Sequence, residues 1–277
     1  MNGGPDSGPV AVLGAGSWGT ALAMQLARVG HRVRLWSRNP EHVDAMRRQR
    51  CNARYLPDIE LDPSIEPVAE FEAALQGASR ILVVTPSHAF GETLDAVADR
   101  VTVETGLAWA TKGFEPGTGR FLSALARDRL GDSIPLAAVS GPSFAGEVAR
   151  GLPTAVTVGA STPEFGRDWA ALLHGSSFRA YYTADLNGAQ LGGAVKNVLA
   201  IACGMADGLG LGDNTRAALI TRGLAEMMRL GEALGCRDRT LMGLAGMGDL
   251  VLTCTGNASR NRRFGLALGR GASVDAA

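Results

Sequence analysis

Lysine is nearly absent from this chain. Of its 27 basic residues only two are lysine, Lys112 and Lys196, and the other 25 are arginine. Net charge is missing too, since 27 acidic residues cancel the basic ones, so no global field draws in nucleic acid or an anionic membrane, and an anionic ligand needs a local cluster of donors. Cysteine is sparse: Cys51, Cys203, Cys236 and Cys254 are irregularly spaced, without a CxxC pair or a histidine at metal-ligand spacing. That excludes a disulfide framework and a zinc site, implies no metal, and fits free thiols in a reducing compartment. The opening MNGGPDSGP has no basic or apolar signal region, and no later apolar run approaches the ~18 residues of a membrane span, so a soluble cytoplasmic protein without stable membrane insertion is expected. The sequence contains no GxSxG, HExxH or P-loop, which leaves acyl transfer, zinc proteolysis and nucleotide hydrolysis unsupported.

What is present is an alternation of short apolar runs with helix-compatible segments. VAVL (Val10 to Leu13), VRLW (Val33 to Trp36), ILVV (Ile81 to Val84), LAWA (Leu107 to Ala110) and LAAV (Leu136 to Val139) read as buried strands, with helices at Ser17 to Arg28, Pro40 to Arg50 and Phe121 to Leu130. TAVTVG and FRAYYT read as two more strands around a helix at Pro163 to Leu173. After about Asp185 the strand pattern stops, and Ala, Leu, Gly and Met recur with helical periodicity. The expected fold is α/β: a Rossmann-type doubly wound parallel sheet over residues 1–184, then an all-helical domain over residues 185–277.

VAVLGAGSWGTALA sets Gly14, Gly16 and Gly19 in GxGxxG order between a strand and a helix. In that context Gly14 makes the tight turn, Gly16 lets a pyrophosphate approach, and Gly19 lets the helix pack closely on the strand. The second strand ends in Ser37, Arg38 and Asn39, with no carboxylate before Glu41, so Arg38 can pair with a 2′-phosphate and NADP is favoured over NAD.

Ligands of such sheets collect at the carboxyl ends of the strands, where TPSHAF, TKGFEPGTG and SGPSFAGE lie. Lys112 sits in the second of these. Lys196 sits in QLGGAVKNVLAIA, and on a helix its neighbours three and four positions away are Gly192, Gly193, Leu199 and Ala200, a face that desolvates an ammonium. Burial can bring a lysine's pKa into a useful range, whereas arginine stays protonated. Both lysines are expected beside one cleft between the domains. Of the four histidines, His31, His42 and His174 read as peripheral, and His88 as packing in a cofactor loop. Asp249 follows a glycine turn, and Ser259, Arg260, Asn261, Arg262 and Arg263 form a donor cluster that suits a phosphate, the alternative being a basic helix start facing water.

GAGSWGTALA, RILVVTPSH, WATKG, SGPSFAGEV, GLPTAV, QLGGAVKNV, TRGLAEM, GMGDLVLTC and SRNRRFG together resemble the bacterial NAD(P)-dependent glycerol-3-phosphate dehydrogenases, from about Val10 to Gly271. The resemblance implies reversible reduction of dihydroxyacetone phosphate to sn-glycerol 3-phosphate for phospholipid synthesis. It makes Lys196 the proton donor or acceptor at the substrate C2 oxygen, with Lys112 and Asp249 completing the catalytic set. It puts Gly141, Ser143, Asn197, Thr253 and Ser259 beside Lys112 on the substrate, with Arg260 and Asn261 gripping the phosphate. Ser17, Trp18, Arg38, Lys112, Ala145 and Arg260 join the glycines on NADP, with NAD also accepted. A homodimer is expected. Members of that family continue past the position of Ala277 into helices that include a VEG-type segment over the cofactor, so the ending GASVDAA implies an open cofactor pocket and an exposed apolar patch. Two other readings stay open: a β-hydroxyacid dehydrogenase of similar build, and a catalytically dead NADP-binding fragment.

Overall fold

The apolar runs become β1 (Val10–Leu13), β2 (Val33–Trp36), β3 (Ile65–Val68), β4 (Arg80–Val83), β5 (Leu107–Trp109), β6 (Leu136–Ser140), β7 (Thr154–Ala160) and β8 (Phe178–Thr183). Between them run α1 (Ser17–Arg28), α2 (Pro40–Gln49), α3 (Phe71–Leu75), α4 (Ser87–Val97), α5 (Leu122–Leu130), α6 (Ala145–Ala149) and α7 (Pro163–Leu173). Then come α8 (Leu186–Gly208), α9 (Gly212–Ala233), α10 (Asp238–Leu241), a π-helical turn at Leu244–Gly248, α11 (Asp249–Thr255) and α12 (Arg260–Gly269). This computed structural model describes residues 8–276, so most of the opening stretch read for targeting signals lies outside the described residues.

The eight strands form one sheet in the order β3-β2-β1-β4-β5-β6-β7-β8. Every neighbouring pair is parallel except β6–β7, which is antiparallel. The sheet is therefore parallel-dominant rather than parallel throughout. Only the five-residue α6 lies between β6 and β7, too little for a helical crossover, so the chain turns back, whereas α7 restores the parallel sense for β8. β3 escapes the apolar-run criterion because IEPV contains Glu66 and Pro67; it lies at the sheet edge, where a missing ladder donor is tolerated. Side chains alternate between the two faces: Val10 and Val12 join a core under α1 and α7, while Ala11 and Leu13 join one under α4 and α5.

Helix α8 organises the second half of the chain. Its start is fixed by the buried carboxylate of Asp185, which accepts from the Gly188 N–H at 2.8 Å and from the Arg237 N–H at 2.8 Å. Its last turns lie backbone to backbone on α12. A methyl group on Gly204 would come within 2.1 Å of the Arg262 carbonyl oxygen, and one on Gly269 within 2.3 Å of the Met205 carbonyl oxygen. The paired spacings Gly204-x-x-x-Gly208 and Gly265-x-x-x-Gly269 thus set the helix contact through absent side chains.

The expectation that no apolar segment reaches membrane length is corrected by α8. At 23 residues with a mean hydropathy of 1.2, it is long and apolar enough to cross a membrane by length and composition. Its interruption by glycines and Lys196 hid this in the sequence. More than half of that apolar window is buried, and the helix packs on β6, β7, α9, α11 and α12. Val198, Leu209 and Leu211 are more than half exposed along α8 and the turn after it.

Candidate active site

The first glycine loop is shaped by three different demands. Gly14 has φ +124°, and a Cβ there would lie 2.8 Å from the Val84 carbonyl oxygen; at Gly19 a Cβ would lie 1.8 Å from the Gly14 carbonyl oxygen. A Cβ on Gly16, by contrast, meets nothing within 4 Å among the described residues. Gly16 is therefore free of packing constraint and leaves room directly before α1. That helix has no acidic residue in its first turn and no side-chain cap, so its leading N–H groups are free for an anion. These are the features a dinucleotide's pyrophosphate requires.

The loop is braced from below by residues with no recognisable motif in the sequence. Asn52, 1% exposed, donates from Nδ2 to the Ala15 carbonyl oxygen at 3.0 Å and to Thr20 Oγ1 at 2.7 Å. Its Oδ1 lies 2.8 Å from His42 Nε2, so His42, expected to be peripheral, belongs to the loop's support. Ser17 Oγ donates to the Tyr55 carbonyl oxygen at 3.1 Å. A fully buried asparagine whose side chain is saturated by hydrogen bonds marks such a brace, and burial is not legible in CNARYLP. Arg38 follows β2, is exposed, and makes no side-chain hydrogen bond or ion pair among the described residues. It is free to meet a phosphate. His88 lies exposed in the first turn of α4.

Lys112, beyond β5, and Lys196, on α8, meet on one carboxylate. Asp249, 1% exposed at the start of α11, accepts from Lys196 Nζ at 2.6 Å on Oδ1 and from Lys112 Nζ at 2.9 Å on Oδ2. Lys196 Nζ also donates to Thr253 Oγ1 at 3.1 Å, one helical turn along α11. Thr253 in turn donates to the Asp249 carbonyl oxygen at 2.6 Å. Lys112 Nζ reaches the Gly141 carbonyl oxygen at 3.5 Å and lies 5.9 Å from the centre of the Trp18 ring, linking this group to the glycine loop.

The glycines around Lys196 allow this meeting. A Cβ on Gly192 would lie 1.9 Å from the Ala245 carbonyl oxygen, so glycine there lets α8 press against the π-helical turn that delivers Asp249. A Cβ on Gly193 would press on Ser140 Oγ at 3.2 Å and on the Lys112 stem at 3.5 Å. Lys196 is 8% exposed, and burial pushes its pKa down to about 7. Repulsion from Lys112 acts in the same direction, while attraction to Asp249 opposes both. The group can thus hold a proton loosely near neutrality.

The remaining predicted residues take different places. Gly141 has φ +141°, and Ser143 Oγ donates to its carbonyl oxygen at 2.9 Å, shaping the loop before Ala145, the first residue of α6. Asn197 is half-buried beside Lys196 and makes no side-chain hydrogen bond among the described residues. Ser259 is buried, and its hydroxyl caps α12 by accepting from the Arg262 N–H at 3.2 Å. The five-residue donor cluster divides. Arg260 and Arg263 are exposed and unpaired among the described residues, while Arg262 is tied to Asp207 and Asn257 and is not free for a ligand. No contact joins Arg260 or Asn261 to the two lysines among the described residues.

Comparison with known proteins gives one consistent answer. The family model of the NAD-dependent glycerol-3-phosphate dehydrogenase N-terminus matches residues 9–166, and that of the C-terminus matches residues 185–277. The chain is 60% identical to a glycerol-3-phosphate dehydrogenase [NAD(P)+] of Stenotrophomonas maltophilia, over 96% of this chain and 78% of that protein. A namesake from Thioalkalivibrio sulfidiphilus is also 60% identical, over 97% of this chain and 81% of that one. The crystal structure of glycerol-3-phosphate dehydrogenase from Coxiella burnetii superposes with a TM-score of 0.93 at 50% identity, covering 97% of this chain and 82% of that one.

Proposed function

The chain belongs to the NAD-dependent glycerol-3-phosphate dehydrogenase family, and we infer from that membership and from the lysine–aspartate–lysine bridge that it interconverts dihydroxyacetone phosphate and sn-glycerol 3-phosphate with NAD(P)H. The product is the backbone donor for phospholipid synthesis. The observation that carries the assignment of roles is the bridge itself: two otherwise rare lysines, from the sheet region and from α8, converge on one buried carboxylate.

NADPH, when bound, supplies the hydride. Its pyrophosphate would lie over Gly16 at the N-terminus of α1, beside Ser17 and Trp18, with Arg38 pairing a 2′-phosphate; this pairing favours NADP over NAD. In ketone reduction Lys196 donates the proton that the C2 oxygen needs, and its neutral amine recovers a proton from solvent. In alcohol oxidation the neutral amine accepts the hydroxyl proton. Asp249 and Thr253 hold the Lys196 nitrogen in place, and Lys112 adds a second positive charge on the same carboxylate, where it can polarise a carbonyl oxygen. Arg260 and Asn261, at the N-terminus of α12, would grip the substrate phosphate with Ser259 shaping the turn, the guanidinium giving a bidentate fork and the helix end adding donors. Gly141, Ser143, Ala145 and Asn197 would line the space between.

We place the enzyme in the cytoplasm, divide it into a cofactor domain at 1–184 and a substrate domain at 185–277, and read it as a homodimer. The division is supported by the change from sheet to helices at Asp185. The test is to mix the 277-residue chain with NADPH and dihydroxyacetone phosphate, with dihydroxyacetone as control. Loss of reduced-nicotinamide absorbance that depends on the phosphorylated ketone is expected. No loss with either ketone would refute the assignment.

A further inference from the structure

The residues that take up Arg262 form a second charge cluster, with no hydrogen bond to the lysines among the described residues and as tightly built. Asp207, near the end of α8, has a side chain only 9% exposed. Its Oδ2 accepts from Arg262 Nε at 3.0 Å and Nη2 at 2.5 Å, and its Oδ1 accepts from Arg216 Nη1 of α9 at 2.8 Å. Arg262 Nη1 reaches back to Asn257 Oδ1 at 2.9 Å, in the turn that precedes α12. One carboxylate thus fixes the first turn of α12 and the turn before it to both α8 and α9.

Successive helix positions differ by about 100°, so Arg260 and Arg262 point to opposite sides of α12. The structure agrees: Arg262 is 11% exposed at its side chain and faces α8, while Arg260 is exposed. We propose that Asp207 is a positioning residue for substrate phosphate, acting through Arg262 to set the height and rotation of the helix turn that presents Arg260 and Asn261. This rests on the assignment of Arg260 to the phosphate made above. A carboxylate suits the role because it locks a planar fork in one orientation, beside glycines that bring the α8 and α12 backbones together.

The test compares Asp207→Asn with the parent in NADPH-dependent reduction of dihydroxyacetone phosphate. The expected result is a KM for that ketone raised about tenfold, the cost of one misaligned charge-assisted hydrogen bond, with kcat changed by less than about twofold. A general loosening of the fold would instead lower kcat and NADPH affinity together. The same substitution is then made in an Arg260→Ala background, where it is expected to change kcat/KM by only about two- to threefold, because the charged member of the pair it positions is gone and only Asn261 remains. If Asp207→Asn does not fold, Arg262→Lys replaces it, since an ammonium keeps the charge but cannot fork to Asp207 and Asn257 together. An unchanged KM in the single variant, or the full effect repeated in the Arg260→Ala background, would overturn the proposal. A parent with no activity on the phosphorylated ketone would defeat the reading beneath it as well, whereas an active parent with an indifferent variant defeats only the role of Asp207.

Discussion

Lys112 and Asp249 act on the Lys196 proton with opposite signs, and that opposition can be measured. Both ammonium groups donate to the same carboxylate, at 2.9 and 2.6 Å, which places the two nitrogens on the order of 5 Å apart. At an effective dielectric of about 20 their repulsion is about 3 kcal/mol, and partial screening at Lys112, whose side chain is 19% exposed, reduces this. Lys112→Met therefore raises the Lys196 pKa by about one to two pH units from its value of about 7. Asp249→Asn removes the attraction that holds the proton and lowers it. The assay is kcat/KM for ketone reduction by NADPH as a function of pH, which reports the free enzyme. With Lys196 as the proposed proton donor, reduction requires its protonated form, so the profile is flat on the acid side and falls as pH rises through the Lys196 pKa. The fall moves to higher pH in Lys112→Met and to lower pH in Asp249→Asn, whatever either change does to the absolute rate. Movement of both in one direction, or of neither, refutes the reasoning.

The glycine loop offers a contrast within one motif. Gly16→Ala should leave the melting temperature within about a degree of the parent, since its Cβ meets nothing, yet weaken NADPH binding measured by fluorescence titration; Gly19→Ala, whose Cβ would strike a backbone oxygen, should cost about 1–3 kcal/mol and lower the melting temperature by several degrees. Arg38→Ser should weaken NADPH about tenfold or more and leave NADH unchanged, as read by the same titration, because only NADPH carries the phosphate that Arg38 can pair.

Much of this architecture was legible because local signals agreed with one another. VAVL, VRLW and FRAYYT appear as strands with the bounds their apolar runs suggest, and the helices at Ser17–Arg28 and Pro163–Leu173 match as well. The parts that were not legible depend on long-range packing. IEPV becomes a strand only because an edge position tolerates its proline. β7 reverses because of what precedes it, which no period within TAVTVG records. In the site, scarcity and an apolar neighbourhood were enough to single out Lys196. Asp249 stood out after its glycine turn, but its place beside the lysines came only through family resemblance, since 137 residues separate it from Lys112. Arg262 looked like its neighbours in SRNRR, and only the position of Asp207, 55 residues away, removes it from the ligand set.

The central claim is that Lys196 carries the proton. Lys196→Arg keeps a positive charge at the same position but gives it to a group that does not release its proton near neutrality. The account predicts that this variant binds NADPH as the parent does and loses about 10²- to 10⁴-fold in kcat for dihydroxyacetone phosphate reduction. Turnover within a few-fold of the parent, with cofactor binding intact, would contradict it and remove Lys196 from the chemistry.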